Sequence, residues 1–401
     1  MSENSYREVS SQSWGSRLVS SLTGMLVGIV LVAVAVGLLW WNEGRAVNRA
    51  RALEEGLGQV VSVAADRVDA ANQGLLVHLS GHADTDESLT DPVFGVTEQA
   101  IKLRRAVQMY QWREHSQSET REKLGGGTET VTTYTYNRGW ESSLISSSNF
   151  KKPGGHANPG RMPYEDWSQT ANNVEVGAFR LSRDQLASLS DFNPVDLNDA
   201  TPGLTLPAGA ELSGSEIYLG QNPGAPEIGD ARIQFAVVTP QDISLVAVQK
   251  GNSFVPYQAS NGNEVSLLES GTYSAQEMFQ KAQDSNRQLT WILRLVGVVA
   301  MFIGFTLLFG TLRVLAAVVP MFGRLVGGAI GLVAGILTAT ISLVTVALAW
   351  IFYRPLLGGG MLVLGLALLF GLKRAGKAKA PAAPHMPAAA GSPPPPPPPP
   401  A

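Results

Sequence analysis

No cysteine occurs among the 401 residues. That single absence removes disulfides, thiol catalysis, cysteine-ligated zinc and iron–sulfur clusters together. A domain outside the cytoplasm would then hold together by core packing alone. Charge of one sign is also lacking: the net charge is −3 and the pI about 6.0, so nothing global points to nucleic acid as a partner. Catalytic signatures are missing too. There is no GxSxG, no HExxH and no paired-carboxylate pattern, and Gly125-Gly126-Gly127 lacks the Lys-Ser/Thr of a phosphate loop and reads as a turn. The chain is therefore read as non-enzymatic, with no catalytic, cofactor-binding or metal-ligating residue assigned. His78 and His82 have the spacing that pairs metal ligands on a helix, but LVHLSGHAD reads as strand and turn, which favours a surface or hydrogen-bonding role. His156, in GGHANPG, has no visible catalytic partner.

What the chain has instead is apolar sequence piled up at its two ends. The first run, Gly24 to Trp41, holds about 18 residues without a charge and covers roughly 27 Å as a helix, enough for a hydrocarbon core of about 30 Å. It ends in Trp40 and Trp41, where an aromatic belt belongs. A cleaved signal peptide is the rival reading; the run is too long for one and lacks a small-x-small site. Three further spans are expected at 291–312, 325–352 and 355–372, broken by Arg313, Pro320, Arg324 and Arg354-Pro355. Four spans put both termini on one side. The organisation is then an N-terminal tail over 1–21, a first span over 22–41, a domain over 42–290, the three-span cluster, and a Pro/Ala-rich tail over 373–401. Basic residues counted for the two orientations are eight against seven, a slight preference for a domain outside the cytoplasm with both termini inside.

Between Arg294 and Lys373 no Asp, Glu, His or Lys occurs, and the arginines sit at span ends. Ion-coupled transporters bind and release charge at membrane depth, so the spans argue against this class. The spans carry glycine at fixed spacing instead: Gly323, Gly327, Gly331 and Gly335 on one face, and Gly24 and Gly28 in the first span. Such ridges let helix backbones approach closely in lipid, within or between chains.

The central region reads as mainly β with helical ends. Asn42 to Leu57 continues the first span as a helix, with Ala46, Ala50, Leu53 and Leu57 at helical spacing. Ile101, Leu103, Val107 and Met109 alternate, interrupted by Arg105; TVTTYTY over 130–136 follows the triple glycine, so a hairpin is expected. Ile233–Val238 and Ile243–Val248 form a second pair, broken by Thr239-Pro240-Gln241, and 276–286 is a helix leading into the second span. Tyr110, Trp112, Tyr134, Tyr136 and Trp140 suit either a ligand surface or a β-domain core. The eight consecutive prolines near the end form polyproline II, a spacer or a segment for a proline-binding partner.

Several segments, taken in order, resemble the LUMA (transmembrane protein 43) family. They are Asn42-Glu43-Gly44-Arg45-Ala46 with Glu55-Gly56; Leu76-Val77-His78-Leu79-Ser80-Gly81; and Leu103-Arg104-Arg105 with Met109-Tyr110-Gln111-Trp112. Tyr134-Thr135-Tyr136 with Trp140 follows, then Gly155-His156-Ala157-Asn158-Pro159, Tyr218-Leu219-Gly220, Ile228-Gly229-Asp230-Ala231-Arg232 and Tyr353-Arg354-Pro355-Leu356. The match covers about 24 to 372 and leaves the proline tail outside. The resemblance implies a large luminal domain with both ends cytoplasmic, which in a bacterial cell means a domain outside the cytoplasm. It implies scaffolding at nuclear-envelope membranes for animal members, whose partners are not carried over to a chain whose tail looks bacterial. It supplies no catalytic residues.

The expected function is a non-enzymatic membrane scaffold that self-associates through its spans, with membrane lipid and a second copy as partners. The alternative is an extracytoplasmic sensor or lipid-binding module signalling through the spans. A hydrolase using His156 is a third reading.

Overall fold

The computed structural model describes residues 4–198, 201, 203–318, 320–355 and 360. Among them, three helices are long and apolar enough to cross a membrane: Trp14–Gln59, Ala275–Ala316 and Leu325–Tyr353. The fourth expected span, 355–372, and the tail over 373–401 fall almost wholly outside the described residues. The chain forms two compact units, Met1–Val346 and Ala347–Ala401. In the second, the Arg354 amide closes a helical turn on the Trp350 carbonyl at 2.8 Å, just before Pro355.

Helix α1 (Trp14–Gln59) starts at Ser13, whose hydroxyl accepts from the Ser16 amide, and runs without a break through the apolar run into the amphipathic stretch behind it. The region 42–57 is thus helix, as its spacing predicts. A short helix, α2 (Arg183–Ser188), lies on the domain. Helix α3 (Ala275–Leu308) begins at a capping box of Ser274 and Glu277 and carries the chain from the domain into the next span. Helices α4 (Gly310–Ala316) and α5 (Pro320–Tyr353) follow.

The domain is built on two main sheets, in which the strands named below pair antiparallel. The strands used below are β1 (Ser5–Gln12), β2 (Leu76–Asp84), β3 (Lys102–Glu122), β4 (Thr128–Glu141), β5 (Ala231–Val238) and β6 (Gln241–Lys250). One sheet runs β1-β4-β3-β5 and continues through Glu216–Leu219 and Ala210–Ser213; the other is built on β2 and β6. The alternation of Leu103, Val107 and Met109 is a sheet face, and Leu79, Phe94, Leu103, Val107, Phe235 and Leu245 form one core between the sheets. Burying each such side chain contributes about 1.5–3 kcal/mol.

Two expectations change. Ile233–Val238 and Ile243–Val248 are strands, but they are not partners. β5 pairs with β3 while β6 pairs with β2, so Thr239-Pro240 carries the chain from one sheet to the other. Within the expected N-terminal tail, Ser5–Gln12 is a strand of the domain: β1 pairs antiparallel with β4, from Ser5 opposite Thr135 to Gln12 opposite Thr128. SYREVSSQ carries too few apolar residues to announce a strand, and its partner lies over 100 positions away. The hairpin around the triple glycine is present, with Gly125 and Gly126 at φ +87° and +79°, and its strands are longer than their alternation suggests.

Candidate functional site at the seam between spans and domain

The expected glycine ridge and family motifs fall into three places. The first is the packing of α1 on α3. A Cβ on Gly28 would stand 2.6 Å from the Gly304 carbonyl oxygen and 2.8 Å from the Leu308 amide, so the two backbones touch there. Gly24 is looser, with Leu307 at 3.9 Å. The partner glycines Gly297 and Gly304, which receive Leu39 and Val32, escape a GxxxG search because they are seven apart. On α5, Gly327 faces the Arg313 side chain, whereas a Cβ on Gly331 or Gly335 would meet nothing within 4 Å among the described residues; Gly323 lies in the same helix.

Directly above this contact, at the end of the apolar run, Asn42, Glu43 and Arg45 make a polar seam with α3, and Gly44 is buried among them. Glu43 takes a two-pronged ion pair from Arg294, Nε to Oε1 at 2.6 Å and Nη2 to Oε2 at 2.9 Å, with the carboxylate almost wholly buried. Asn42 Nδ2 donates to the Thr290 carbonyl at 3.0 Å, Arg45 donates to Asn286 Oδ1 and Thr290 Oγ1, and Asn286 Nδ2 donates to the Ala46 carbonyl. Apart from Arg45 Nε, the buried polar groups named here have a partner on the other helix, which fixes the register of α1 on α3. Arg294, Thr290 and Asn286 recur at helical spacing, a signal that could have been paired with Asn42-Glu43. Beside the seam opens a cavity of about 840 Å³, lined by Arg45, Arg49, Phe254, Leu267, Ala282 and Leu289. Arg45 Nε has no hydrogen-bond partner among the described residues.

The second place is where the β3–β4 hairpin leaves the core. His156 is buried, stacked on Tyr136 at 4.0 Å and edge-on to Trp112 at 4.8 Å. Its ring nitrogens lie 3.0 Å from the Lys152 carbonyl and 3.3 Å from Asn4 Oδ1, so both are engaged and none faces a cleft. Asn158 bridges Trp112, accepting from its amide and donating to its carbonyl, as a missing strand would. Pro159 lies 3.4 Å from where a Cβ of Gly229 would be, and Gly229 holds φ +100°. Asp230 accepts from the Tyr218 hydroxyl at 2.6 Å, and Tyr110 tilts on Trp140, over which the Arg232 guanidinium lies. Burial and the Asp230 carboxylate push the Tyr218 hydroxyl well above the usual tyrosine range. The aromatic set is therefore largely packing.

The third place is the core itself. Arg105, the residue that breaks the alternation, is buried with Asp91, Nη1 to Oδ2 at 2.5 Å, and its Nε donates to the Glu165 carbonyl. Neighbouring Arg104 points outward over the Phe192 ring. His78 and His82 share one face of β2, yet His78 lies against Ser62 and the Tyr273 carbonyl while His82 meets Asp242. Among the described residues no three His, Asp or Glu side chains gather as a metal site requires.

Away from these, the hairpin tip meets the start of α1. Arg17 donates to the Gly126 carbonyl and pairs with Glu122, Trp14 Nε1 donates to the Val314 carbonyl at 3.0 Å, and the Gly125 amide reaches the Val318 carbonyl.

A family profile described as transmembrane protein 43 matches residues 109–355. Transmembrane protein 43 of Rattus norvegicus is 37% identical over 352 residues, covering 85% of this chain and 87% of the relative. The Homo sapiens protein is 36% identical over 88% of this chain and 90% of its own length, and a Drosophila melanogaster homologue is 32% identical over 85% and 91%. No solved structure matches.

Proposed function

The chain belongs to the transmembrane protein 43 family, and from that premise we propose that it is a non-enzymatic membrane scaffold that self-associates through its spans and holds its β domain outside the cytoplasm. One observation carries this reading: the glycine face of α5 meets the Arg313 side chain at Gly327 and borders an apolar cavity with Val298, Val299 and Phe302 at Gly335, yet packs on no helix backbone among the described residues. A Cβ on Gly331 or Gly335 would meet nothing within 4 Å among the described residues, while Gly28, Gly297 and Gly304 are filled within the chain. Without a hydrophobic drive between helices in lipid, a small-residue ridge is useful only when another helix lies against it. A second copy is the occupant proposed here. Its flanks are apolar and exposed, with Leu332 at 67% and Leu343 at 71%.

In native-like bilayer particles the wild type is expected as a discrete multimer by mass. Gly331→Leu with Gly335→Leu shifts that mass toward monomer and leaves the domain folded. An unchanged multimer would move the contact elsewhere, and a monomeric wild type would remove the proposal; docking of 356–372 of the same chain on the ridge is then the alternative occupant.

A second reading, a lipid-binding module, is favoured by the cavity beside the seam. Arg45 and Arg49 are one helical turn apart just past the tryptophan belt, and the cavity's other walls include Phe254, Leu267 and Leu289. The two arginines suit a headgroup phosphate and the apolar residues an acyl chain, while Asp184, Glu264 and Glu269 also line the cavity and oppose any further negative charge. Phosphatidylglycerol should co-purify at fixed stoichiometry and drop several-fold in Arg45→Gln with Arg49→Gln; retention at wild-type level would sink this reading.

A further inference from the structure

We infer that the three-stranded ribbon of β1, β4 and β3 crosses the membrane alongside the spans, in a water-filled lumen closed by neighbouring copies of this chain. Two lengths agree. The ribbon is tied to the domain at Trp112, through Asn158, and to the helices at Glu122, through Arg17. Ten residues of strand at about 3.4 Å each cover about 34 Å. Measured from Arg17 up α1, about 34 Å of helix is about 23 residues and ends at Trp40. The ribbon therefore keeps pace with the entire apolar run, Gly24 to Trp41, and any layer crossed by that run is crossed by the ribbon too. β1 makes the same passage, since Gln12 lies opposite Thr128 at the tip while Asn4 lies beside His156 at the base.

Apart from Tyr6 and Val9 on β1 and Val131 and Tyr134 on β4, the membrane-depth part of the ribbon is polar. His115 to Arg121 reads HSQSETR, exposed at every position on both faces, and its partner strand reads TETVTTYT over 128–135. Threonine and serine hydroxyls pair across it, Ser118 with Thr132 and Thr120 with Thr130, at 2.9 Å each. Both borders are open: beyond Met109 no strand among the described residues pairs with the second edge of β3, and β1 is the last strand of its sheet. Unpaired backbone groups cannot face hydrocarbon, so irregular or open-edged backbone at membrane depth occurs only inside protein or along water. Among the described residues one copy does not supply that enclosure. The hydrogen bonds and ion pairs seen there between ribbon and helices lie at the tip, around a cavity of about 520 Å³ lined by Arg17, Glu122, Thr120, Thr130 and Arg313. The remaining wall comes from spans of other copies, which rests on the self-association proposed above. The ribbon carries Arg7, Glu8, Glu114, Glu119 and Arg121, charges of both signs, which water solvates and lipid does not. It follows that the N-terminus lies on the same side of the membrane as the domain, not opposite to it.

The cysteine-free chain makes the test direct. Full-length protein in right-side-out and inverted native vesicles carries one cysteine at a time: Leu124→Cys at the tip, Asp86→Cys on the domain, Ser118→Cys or Thr132→Cys in mid-ribbon, and Val30→Cys on the exposed face of α1. A bulky impermeant maleimide is expected to reach the tip only from the face opposite the domain. A small charged thiol reagent should modify both mid-ribbon positions at least about tenfold faster than Val30→Cys, because it reacts with the thiolate, which forms only where water reaches the thiol. Tip and domain labelled from the same face, or mid-ribbon positions as slow as Val30→Cys, would overturn the inference. A multimer that fails this labelling removes the lumen and leaves the scaffold standing; a monomeric mass removes both.

Discussion

Replacing Arg105 with alanine should unfold or loosen the domain, at a cost of about 3–5 kcal/mol, because it leaves the Asp91 carboxylate buried without its counter-charge. Asp91 cannot simply turn to water. Its side chain is fully buried, and its other oxygen accepts from the amides of Val93 and Phe94 at 3.0 and 2.7 Å, holding the turn that delivers Phe94 to the core. The Arg105 guanidinium also caps the Glu165 carbonyl, so alanine strands a second acceptor. Set against a typical stability of about 5–15 kcal/mol, the loss is large enough to show as a lowered melting temperature and faster proteolysis of the purified full-length protein. Arg105→Lys should recover only part of the loss, since an ammonium lacks the fork that serves Asp91 and Glu165 together. Arg104→Ala, which removes only a cation over the exposed side of Phe192, is the matched control and should shift the melt little. An Arg105→Ala protein that melts like wild type would mean the pair is solvated in the folded chain.

That contrast between Arg104 and Arg105 also marks what the sequence made legible. The period-two alternation of Ile101, Leu103, Val107 and Met109 located the strand and its buried face, and the arginine that interrupts it stood out as an anomaly. Its meaning was not readable, because Asp91 sits in a turn fourteen residues earlier and nothing local links the two. The apolar runs were legible for the same reason that makes membrane helices predictable: length without charge permits little else. α1 followed from one run plus the helical spacing beyond it. β1 was hidden, since a polar strand is defined by its partner and not by its own pattern. The seam is half visible in the sequence: Asn42-Glu43 stands out as a motif, whereas Arg294 reads only as the charge bordering an uncharged stretch.

The glycines divide in a way that GxxxG spacing cannot foresee, and this sets up the other large effect. Gly28→Leu should separate α1 from α3, whereas Gly24→Leu, four residues away on the same face, should be tolerated. At Gly28 a Cβ would meet backbone, the Gly304 carbonyl oxygen at 2.6 Å and the Leu308 amide at 2.8 Å, and backbone in a helix cannot swing aside as a side chain can. At Gly24 the first neighbour is a leucine methyl at 3.9 Å, an ordinary contact. Overpacking a tight site costs about 1–3 kcal/mol where side chains can adjust, and more where they cannot. The helices would part at mid-span while the Glu43–Arg294 pair above holds them, so the strain falls on the seam: its buried carboxylate pair tolerates little change in register. In a bilayer particle the Gly28→Leu protein should lose several degrees of thermal stability and gain protease sensitivity around 42–57, with the domain core intact. Gly304→Leu should behave alike, since its Cβ would press on Val32 at 2.7 Å and on the Gly28 carbonyl at 3.0 Å. If Gly24→Leu proved the more damaging of the two first-span substitutions, the contact between α1 and α3 would have to be shifted along the helix by about a turn from the one described.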